Sequence, residues 1–434
     1  MAMCNADKVE QVVQAIAERR AELFALLKEA ISFPTVSPPA RNTDAAQTWL
    51  ARRLAECGFS IDRWTVYPGD DNVVGRLKGT ASDAYRSLIL NGHIDVAEVG
   101  DDAGWRYPPF SLTEGPDGRW YGRGTADMKG GLIASLFAIR LLREYGVELR
   151  GDLLFQSVIG EEAGEAGTLS ALERGYTADF AVVADSSQLH LCGQGGVITG
   201  WITVESPTTW HDGMRSRMIH AGGRVHGASA IEKMMKIIAA LGELERHWAV
   251  MKQYPGFPPG SNTINPAVIE GGRHAAFVAD KCALWITVHF YPNESYEQVT
   301  QEIEQHILAA AKADPWLKDH PPTFRWGGRS MIEERGEIFP ALALAPEHPA
   351  TQLLCRAYEQ QCGTPPILEM SPTVTDAGWF GQMGIPAVIF GPGELAQAHA
   401  VDESVDPQEL LQFAQIMARF IADWCNTPKK ERSV

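Results

Sequence analysis

Residues 87–95 read SLILNGHID, in which an apolar run at 87–92 is followed by a histidine and an aspartate. Two more apolar runs follow, DLLFQSV at 152–158 and DFAVVA at 179–184, with helical patterns at 130–145 and 167–175 between them. Strands that alternate with helices are typical of a mainly parallel sheet with helices on both faces. The sequence therefore predicts an α/β fold built outward from these three strands.

The order of the predicted helices and strands changes near residue 193. The predicted elements that follow are a strand (196–204), a helix (227–243), two strands (262–270 and 281–290), a helix (295–312) and a strand (322–327). This β-α-β-β-α-β order is that of a small separate α+β domain. After about residue 332 the α/β alternation resumes. We therefore expect one α/β domain, residues 1–192 and 332–434, interrupted by an inserted domain, residues 193–331.

Composition narrows the classes of function. The chain has 434 residues and a formal net charge of −16, which disfavours nucleic acid and anionic membranes as partners. No apolar run approaches the ~18 residues of a membrane helix, and the first residues do not resemble a signal peptide. The seven cysteines are odd in number and include no C-x-x-C pair, which indicates reduced thiols. We expect a cytoplasmic protein whose metals, if any, are held by histidines and carboxylates.

Five metal-competent side chains follow predicted strands or tight turns of the α/β domain: His93, Asp127, Glu162, Asp185 and His399. Each alone has an ordinary explanation as a surface histidine, a turn residue or part of an acidic loop. The carboxyl ends of parallel strands, however, meet at one edge of a sheet, where ligands bind. Two histidines and three carboxylates suit Zn²⁺, with Mn²⁺ or Co²⁺ as substitutes. A carboxylate shared by two ions is the usual device of two-metal hydrolases.

Four motifs, in this order, resemble those of the M20 family of metallopeptidases and amidohydrolases. They are NGHIDV from residue 91, GRGTADMKGG from 122, GEEAGEAGT from 160 and GPGELAQAHAVDE from 391. The resemblance covers essentially the whole chain and implies that the inserted domain is a lid and dimerisation domain. It further implies that one zinc is bound by His93 and Asp185, that the other is bound by Glu162 and His399, and that Asp127 bridges both.

The same resemblance implies roles for three residues that do not bind metal. Asp95 would orient the ligand His93, as metal-bound imidazoles generally require. Glu161 would be the general base, taking a proton from a water whose pKa the metals lower and returning it to the leaving amine. A lid histidine from the partner subunit would steady the oxyanion, which implies a homodimer. Spacing favours His220 for this role, with His226 as the alternative.

The chain departs from the family at three positions, two in the inserted domain and one after it, that in relatives help to hold a substrate carboxylate. Ala276 replaces an asparagine, His289 replaces an arginine and Gly378 replaces another arginine. A histidine that is mostly neutral at pH 7 is a poor substitute for a bidentate arginine. The departures argue against an N-acyl α-amino acid as substrate, although Arg273 could compensate.

Further segments, such as QGGVITGWITV from residue 194 and LWITVHFYPNES from 284, resemble a narrower branch of the family, the formylaminopyrimidine deformylases of thiamin salvage. This resemblance implies a neutral aromatic amide as substrate. Candidate substrate-binding residues are Arg273, His274, His289 and His226. Three tryptophans, Trp201, Trp210 and Trp379, could either stack on a pyrimidine or pack within the protein. The alternatives are an N-acyl amino acid deacylase, such as an acetylornithine deacetylase, and an inactive binding protein on the same scaffold.

Overall fold

The computed structural model of the chain describes residues 4–220 and 227–429. They form two compact units. The discontinuous unit runs to Gln194 and resumes at Leu342, and the inserted unit spans Gly195–Ala341. No helix of the described residues is long and apolar enough to cross a membrane.

The discontinuous unit contains most of the helices. Its elements before the insertion are α1 (Asn5–Glu18), α2 (Arg20–Ile31), α3 (Asp44–Glu56), β1 (Ser60–Tyr67), β2 (Asp70–Leu77), β3 (Leu88–His93), β4 (Thr113–Glu114), β5 (Trp120–Tyr121), α4 (Lys129–Glu144), β6 (Leu153–Val158), α5 (Gly167–Glu173), β7 (Ala181–Val183) and β8 (Leu191–Gln194).

The inserted unit begins with the next strand. Its elements are β9 (Gly196–Glu205), β10 (Trp210–His211), α6 (Arg215–His220), α7 (Ala230–Met251), β11 (Ile264–Gly271), β12 (Phe277–Val278), β13 (Lys281–Phe290), α8 (Tyr296–Lys312), β14 (Thr323–Trp326) and β15 (Ile338–Phe339). The discontinuous unit then resumes with α9 (Pro349–Cys362), β16 (Leu368–Ser371), α10 (Ala377–Gln382), β17 (Ala387–Ile389), β18 (Ser404–Val405) and α11 (Pro407–Cys425).

The main sheet of the discontinuous unit has eight strands in the order β1-β2-β6-β3-β7-β17-β8-β16. Its centre is parallel: β3 runs parallel to β6 and to β7, and β17 runs parallel to β7. Every residue of β3 and β6 is buried, as expected of strands covered by helices on both faces. The predicted α/β class is confirmed, and the carboxyl ends of these strands lie at one edge.

The hairpin of β1 and β2 at one end of this sheet was not predicted. The two strands are antiparallel and are joined at Pro68-Gly69, where Gly69 has a left-handed backbone with φ +96°. Most residues of β1 are half-buried, so its hydrophobic and polar residues do not alternate in a strand-like pattern. The turn dipeptide was the signal that could have revealed the hairpin.

The inserted unit is the predicted β-α-β-β-α-β arrangement. Its sheet has the order β11-β13-β9-β14, and β9, β13 and β11 pair antiparallel. One face packs on α7 and α8, with alternate residues of β13 (Cys282, Leu284, Ile286, Val288) in the core. Short strand β15 pairs with β9, so the inserted unit reaches Ala341 where the sequence placed its end at residue 331.

Candidate metal centre

Two groups of metal-competent side chains overlap in the discontinuous unit. His93, Asp127 and Asp185 form one, Asp127, Glu162 and His399 form the other, and the ligand atoms of each group lie within 4.8 Å of one another. Asp127 belongs to both: its Oδ1 is 3.2 Å from Nε2 of His93, and its Oδ2 is 3.4 Å from Nε2 of His399. The structure thus brings all five predicted ligands together, with Asp127 in the middle.

The topology of the sheet explains this convergence. His93 is the last residue of β3, and Asp185 comes shortly after the end of β7. Glu162 lies in the short helical turn Glu161–Ala163 that follows β6. His399 lies on the loop after β17, and Asp127 lies just before the first residue of α4. Parallel strands deliver these side chains to one edge because their carboxyl ends all point the same way.

Asp95 contacts the cluster in two ways. Its backbone carbonyl lies 3.0 Å from Nδ1 of His93, whereas its carboxylate Oδ1 is 3.8 Å from the same nitrogen. The carboxylate accepts hydrogen bonds from the backbone N–H groups of Gly160 and Glu162, at 2.8 and 3.1 Å. The orienting atom for His93 is therefore the carbonyl oxygen of Asp95, and the side chain of Asp95 anchors the loop that carries Glu162.

A buried ion pair that was not predicted from the sequence supports Asp127. The carboxylate of Glu403 accepts hydrogen bonds from the N–H groups of Gly124, Ala126 and Asp127, at 2.8–3.0 Å. It also pairs with Arg123 at 2.7 Å, and Arg123 donates to the carbonyl of His399. Glu403 ends the motif that contains His399, and this position was the available signal.

The residues present fit a cation. Nε2 of His93 and Oε1 of Glu162 are buried without a hydrogen-bond partner among the described residues, although buried polar atoms normally have one. Burial and the charge of Asp127 raise the pKa values of Glu162 and Asp185 to about 7. Hydrogen bonds to Asp127 and Glu162 raise the pKa of His399 to about 10. A divalent cation relieves this crowding of carboxylates.

Glu161 lies beside this cluster but belongs to neither ligand group. Its Oε2 is 3.9 Å from Nε2 of His93. Burial, with the nearby charges of Asp185 and Glu162, raises the pKa of Glu161 well above its usual range. Buried Asp376 also adds to this shift. Its Oδ2 accepts a 2.7 Å hydrogen bond from Thr168, and its Oδ1 lacks a partner among the described residues. The family pattern pointed only to nearby Gly378.

Three candidate substrate residues of the inserted unit, Arg273, His274 and His289, have separate local surroundings. Arg273 pairs with Asp280 at 3.0 Å, and Nδ1 of His274 accepts a hydrogen bond from the N–H of Ala276. His289 is half-buried in β13, and burial lowers its pKa. His220 is the last residue of α6, and the alternative His226 lies outside the described residues.

The three candidate tryptophans lie in different surroundings. Trp201 stacks on Trp285 with ring centroids 5.3 Å apart, and its indole N–H donates to the carbonyl of Arg335. Trp210 is half-buried in β10, and Trp379 is buried in α10 of the discontinuous unit. Packing accounts for Trp201, so its proposed stacking on a pyrimidine has no specific support.

Comparison with known proteins defines the class. Residues 89–423 match the model of peptidase family M20/M25/M40, and the chain belongs to this family. The N-formyl-4-amino-5-aminomethyl-2-methylpyrimidine deformylase of Bacillus subtilis (strain 168) is 56% identical over 424 residues, which cover 98% of this chain and 99% of that protein. The acetylornithine deacetylase of Proteus mirabilis (strain HI4320) is 26% identical over 417 residues, 93% of this chain and 97% of that one.

Solved structures extend the comparison to the fold. The di-peptidase Dug1p of Saccharomyces cerevisiae matches with a TM-score of 0.68 at 16% sequence identity, over 97% of this chain and 99% of that one. At this identity the likeness supports the architecture alone. The resemblance to the M20 family, drawn from four motifs, is confirmed, and so is the greater similarity to the deformylase than to the deacetylase.

Proposed function

We propose that this protein hydrolyses N-formyl-4-amino-5-aminomethyl-2-methylpyrimidine to formate and the free aminomethylpyrimidine, a step of thiamin pyrimidine salvage. The observation that carries the proposal is the 56% identity to a deformylase of that substrate along 98% of the chain. The departures at Ala276, His289 and Gly378 agree with it, because the proposed substrate has no carboxylate to hold.

Two zinc ions are the proposed cofactors, with Co²⁺ or Mn²⁺ as substitutes. His93 and Asp185 would hold one ion, Glu162 and His399 the other, and Asp127 would bridge them. When bound, zinc polarises the amide carbonyl and lowers the pKa of a coordinated water. Metal analysis of the purified protein tests this assignment: two zinc equivalents per chain are expected, and a chain that binds none when supplied with zinc would contradict it.

The proposed chemistry of the chain itself centres on Glu161. Water adds to the formyl carbon, the C–N bond breaks, and formate and the amine leave. Glu161 takes the proton from the attacking water and returns it to the leaving nitrogen. Glu161 lies beside the candidate ligands without belonging to either group, and its Oε2 is 3.9 Å from Nε2 of His93, so its carboxylate can serve proton transfer instead of metal binding. His220 of a partner subunit is the proposed donor to the oxyanion.

The Glu161→Gln variant tests this role. It keeps the shape of the side chain but cannot accept the proton, so we expect a fall in kcat of roughly 10²–10⁴-fold. The zinc content should stay at the wild-type value, because Glu161 belongs to neither ligand group. Unchanged kcat would exclude Glu161 as the base, and loss of zinc would mean that it is a ligand.

Substrate profiling separates the proposed function from its nearest alternative. That alternative is deacylation of an N-acyl amino acid, and it is supported by the 26% identity to an acetylornithine deacetylase. The zinc-loaded protein is assayed with the formylpyrimidine and with N-acetylornithine under the same conditions. We expect turnover of the first to exceed that of the second by orders of magnitude. Efficient turnover of acetylornithine alone would overturn the proposal.

A homodimer formed through the inserted unit is the proposed assembly. Strand β11 is an edge strand, and it exposes Val268 and Ile269, which are 36% and 52% accessible. An exposed apolar edge strand is a ready template for pairing with another chain. We expect Ile269→Asp to produce monomers in analytical ultracentrifugation. Ile367, equally exposed on the discontinuous unit, is the matched control, and Ile367→Asp should leave the dimer intact.

The proposed action of His220 across subunits has its own test. Inactive Glu161 and His220 variants are mixed, and subunit exchange is followed with differently labelled chains. Hybrid dimers then contain one site in which both residues are wild type, so partial activity should return. Exchange without any recovery would place His220 in the site of its own chain.

A cytoplasmic location is also proposed. All seven cysteines are free thiols in the structure, which suits a reducing compartment. Fractionation of cells that express the tagged protein tests this, and recovery in the membrane or secreted fraction would contradict it.

A further inference from the structure

The loop that carries Glu161 folds back on itself. Gly160 and Gly164 have left-handed backbones, and the N–H of Glu165 donates to the carbonyl of Gly160 at 2.7 Å. The side chain of Glu165 lies so close to Gly160 that a Cβ there would come within 2.4 Å of the Glu165 Cβ. The carboxylate of Glu165 is consequently part of the loop that presents Glu161, and it is fully buried.

A guanidinium from a distant segment meets this carboxylate. Arg41 donates through both terminal nitrogens, with Nη1 2.8 Å from Oε2 and Nη2 2.7 Å from Oε1 of Glu165. Bidentate pairs of this kind fix orientation as well as distance. The guanidinium also lies over the ring of Tyr67, 4.2 Å from its centroid. Arg41 therefore reaches the loop in a single defined orientation.

Arg41 is itself held by a dedicated anchor. The buried carboxylate of Asp70 accepts hydrogen bonds from the backbone N–H groups of Arg41, Asn42 and Thr43 at 2.8–3.1 Å, and a fourth from the hydroxyl of Thr43. Ala40 and Arg41 both have positive φ, +61° and +67°, although neither is a glycine. Such backbone persists only where the surroundings over-determine it, and it is common at functional sites.

We propose that the Arg41–Glu165 pair is the positioning device for the catalytic carboxylate of Glu161. The inference rests on the proposed function of Glu161 as base. The carboxylate of Asp95 fixes the start of the loop through Gly160 and Glu162, and Arg41 fixes its end through Glu165. With both ends held, the side chain of Glu161 keeps its orientation between them. A displacement of about 1 Å at a reacting group can cost 10²-fold in rate.

The test compares Arg41→Gln, Arg41→Lys and Glu165→Gln with a matched control. The control is Arg63→Gln, because the side chain of Arg63 is 26% exposed, close to the 22% of Arg41. Arg63 also pairs with carboxylates, those of Asp71 and Asp44, but neither belongs to the loop that carries Glu161. We expect kcat for the formylpyrimidine to fall roughly 10–100-fold in Arg41→Gln and Glu165→Gln, with KM within about threefold and two zinc ions retained. Arg41→Lys should recover part of the loss, because one of the two contacts can re-form.

Two further readouts separate positioning from plain stability. The double variant Arg41→Gln/Glu165→Gln should be no slower than the worse single variant, because each single change already disrupts the Arg41–Glu165 pair. Hydrogen exchange of the zinc-loaded protein should quicken at residues 160–165 in Arg41→Gln and stay at the wild-type rate in Arg63→Gln. Additive losses, loss of zinc, or unchanged exchange in the loop would each overturn the inference.

The exchange measurement needs no substrate, so it is independent of the proposed function. A wild-type protein that does not hydrolyse the formylpyrimidine would overturn that function while the exchange result still decides whether Arg41 holds the loop. Normal wild-type turnover with unchanged kcat in Arg41→Gln would overturn the positioning role alone.

Discussion

In the discontinuous unit, His93 and His399 approach Asp127 to within 3.2 and 3.4 Å, and bonds to Asp95 and Glu403 hold the surrounding loops. In the inserted unit, the polar side chains pair with their own neighbours instead: Arg273 with Asp280, and His274 with its own loop. One region concentrates charge at a single point, and the other disperses it. This difference places all five candidate metal ligands in the first region, whereas the described polar side chains named in the second region form separate local pairs.

The largest expected effect comes from Asp127, which belongs to both ligand groups. Asp127→Ala should reduce the zinc content of the purified protein from two ions to none, whereas His399→Ala should remove one. Loss of the metals removes several kcal/mol of transition-state stabilisation, which is at least about a thousandfold in kcat. Metal analysis and steady-state assays measure the two effects.

A variant in the inserted unit provides the contrast. His274→Ala also removes a histidine, yet it should retain both zinc ions, because His274 lies in neither group. If Asp127→Ala kept one tightly bound ion, the bridging role would be wrong. If His274→Ala lost zinc, the assignment of all metal ligands to the discontinuous unit would be wrong.

The second effect concerns Glu403, whose carboxylate accepts from three N–H groups around Asp127. Glu403→Gln removes the charge that faces buried Arg123, and we expect zinc affinity to fall about 10–100-fold. Competition with a chromophoric chelator measures the change. Asp402→Asn is the control, because this neighbouring carboxylate accepts from Arg106 instead. Equal zinc affinity in the two variants would show that Glu403 does not support the site.

Much of the fold was predictable because its central strands are buried on both faces and read as continuous apolar runs. β3 and β6 were predicted at 87–92 and 152–158 and are found at Leu88–His93 and Leu153–Val158. The β1–β2 hairpin was missed because half-buried residues carry no clear period. The end of the inserted unit was missed because β15 has only two residues, and its pairing with β9 is a tertiary contact.

The metal cluster was predictable for a different reason. Each of its five candidate ligands has an ordinary explanation when taken singly, but together they follow strands or turns that the topology brings to one edge of the sheet. Glu403, Asp376 and Arg41 could not be found in the same way, because their importance lies in hydrogen bonds to backbone or to loops distant in sequence. Spacing carries no information about such contacts.

The third effect tests the missing carboxylate-holding groups. His289→Arg introduces the arginine that the M20 resemblance implies at this position, so it should favour N-formyl amino acids over the formylpyrimidine. We expect the ratio of kcat/KM values for the two substrates to shift by about tenfold or more. His274→Arg adds the same charge at a residue that bonds to its own loop and should shift the ratio less. An unchanged ratio in His289→Arg would remove His289 from the account of specificity.

The smallest effect is on stability and concerns Glu337 of the inserted unit. Burial raises its pKa to about 7 from the ordinary value of 4.5. The folded state therefore holds a proton that the unfolded state has lost between these pH values, so the contribution of Glu337 to stability declines as the pH rises through that window. Glu337→Gln is neutral at every pH. Its free energy of unfolding should exceed that of the wild type at pH 8, by on the order of 1–3 kcal/mol.

Well below pH 4.5, Glu337 is protonated in both states, and the advantage of Glu337→Gln should vanish. Denaturant unfolding at a series of pH values measures the difference, with Glu243→Gln, an exposed position in α7, as the control. Because Glu337 lies in the inserted unit, zinc content should not change in either variant. If the free energy of unfolding of Glu337→Gln exceeded that of the wild type by the same amount at all pH values, the Glu337 carboxylate would already be solvated in the folded protein. Its burial would then carry no electrostatic cost, unlike the crowding of carboxylates in the candidate metal centre.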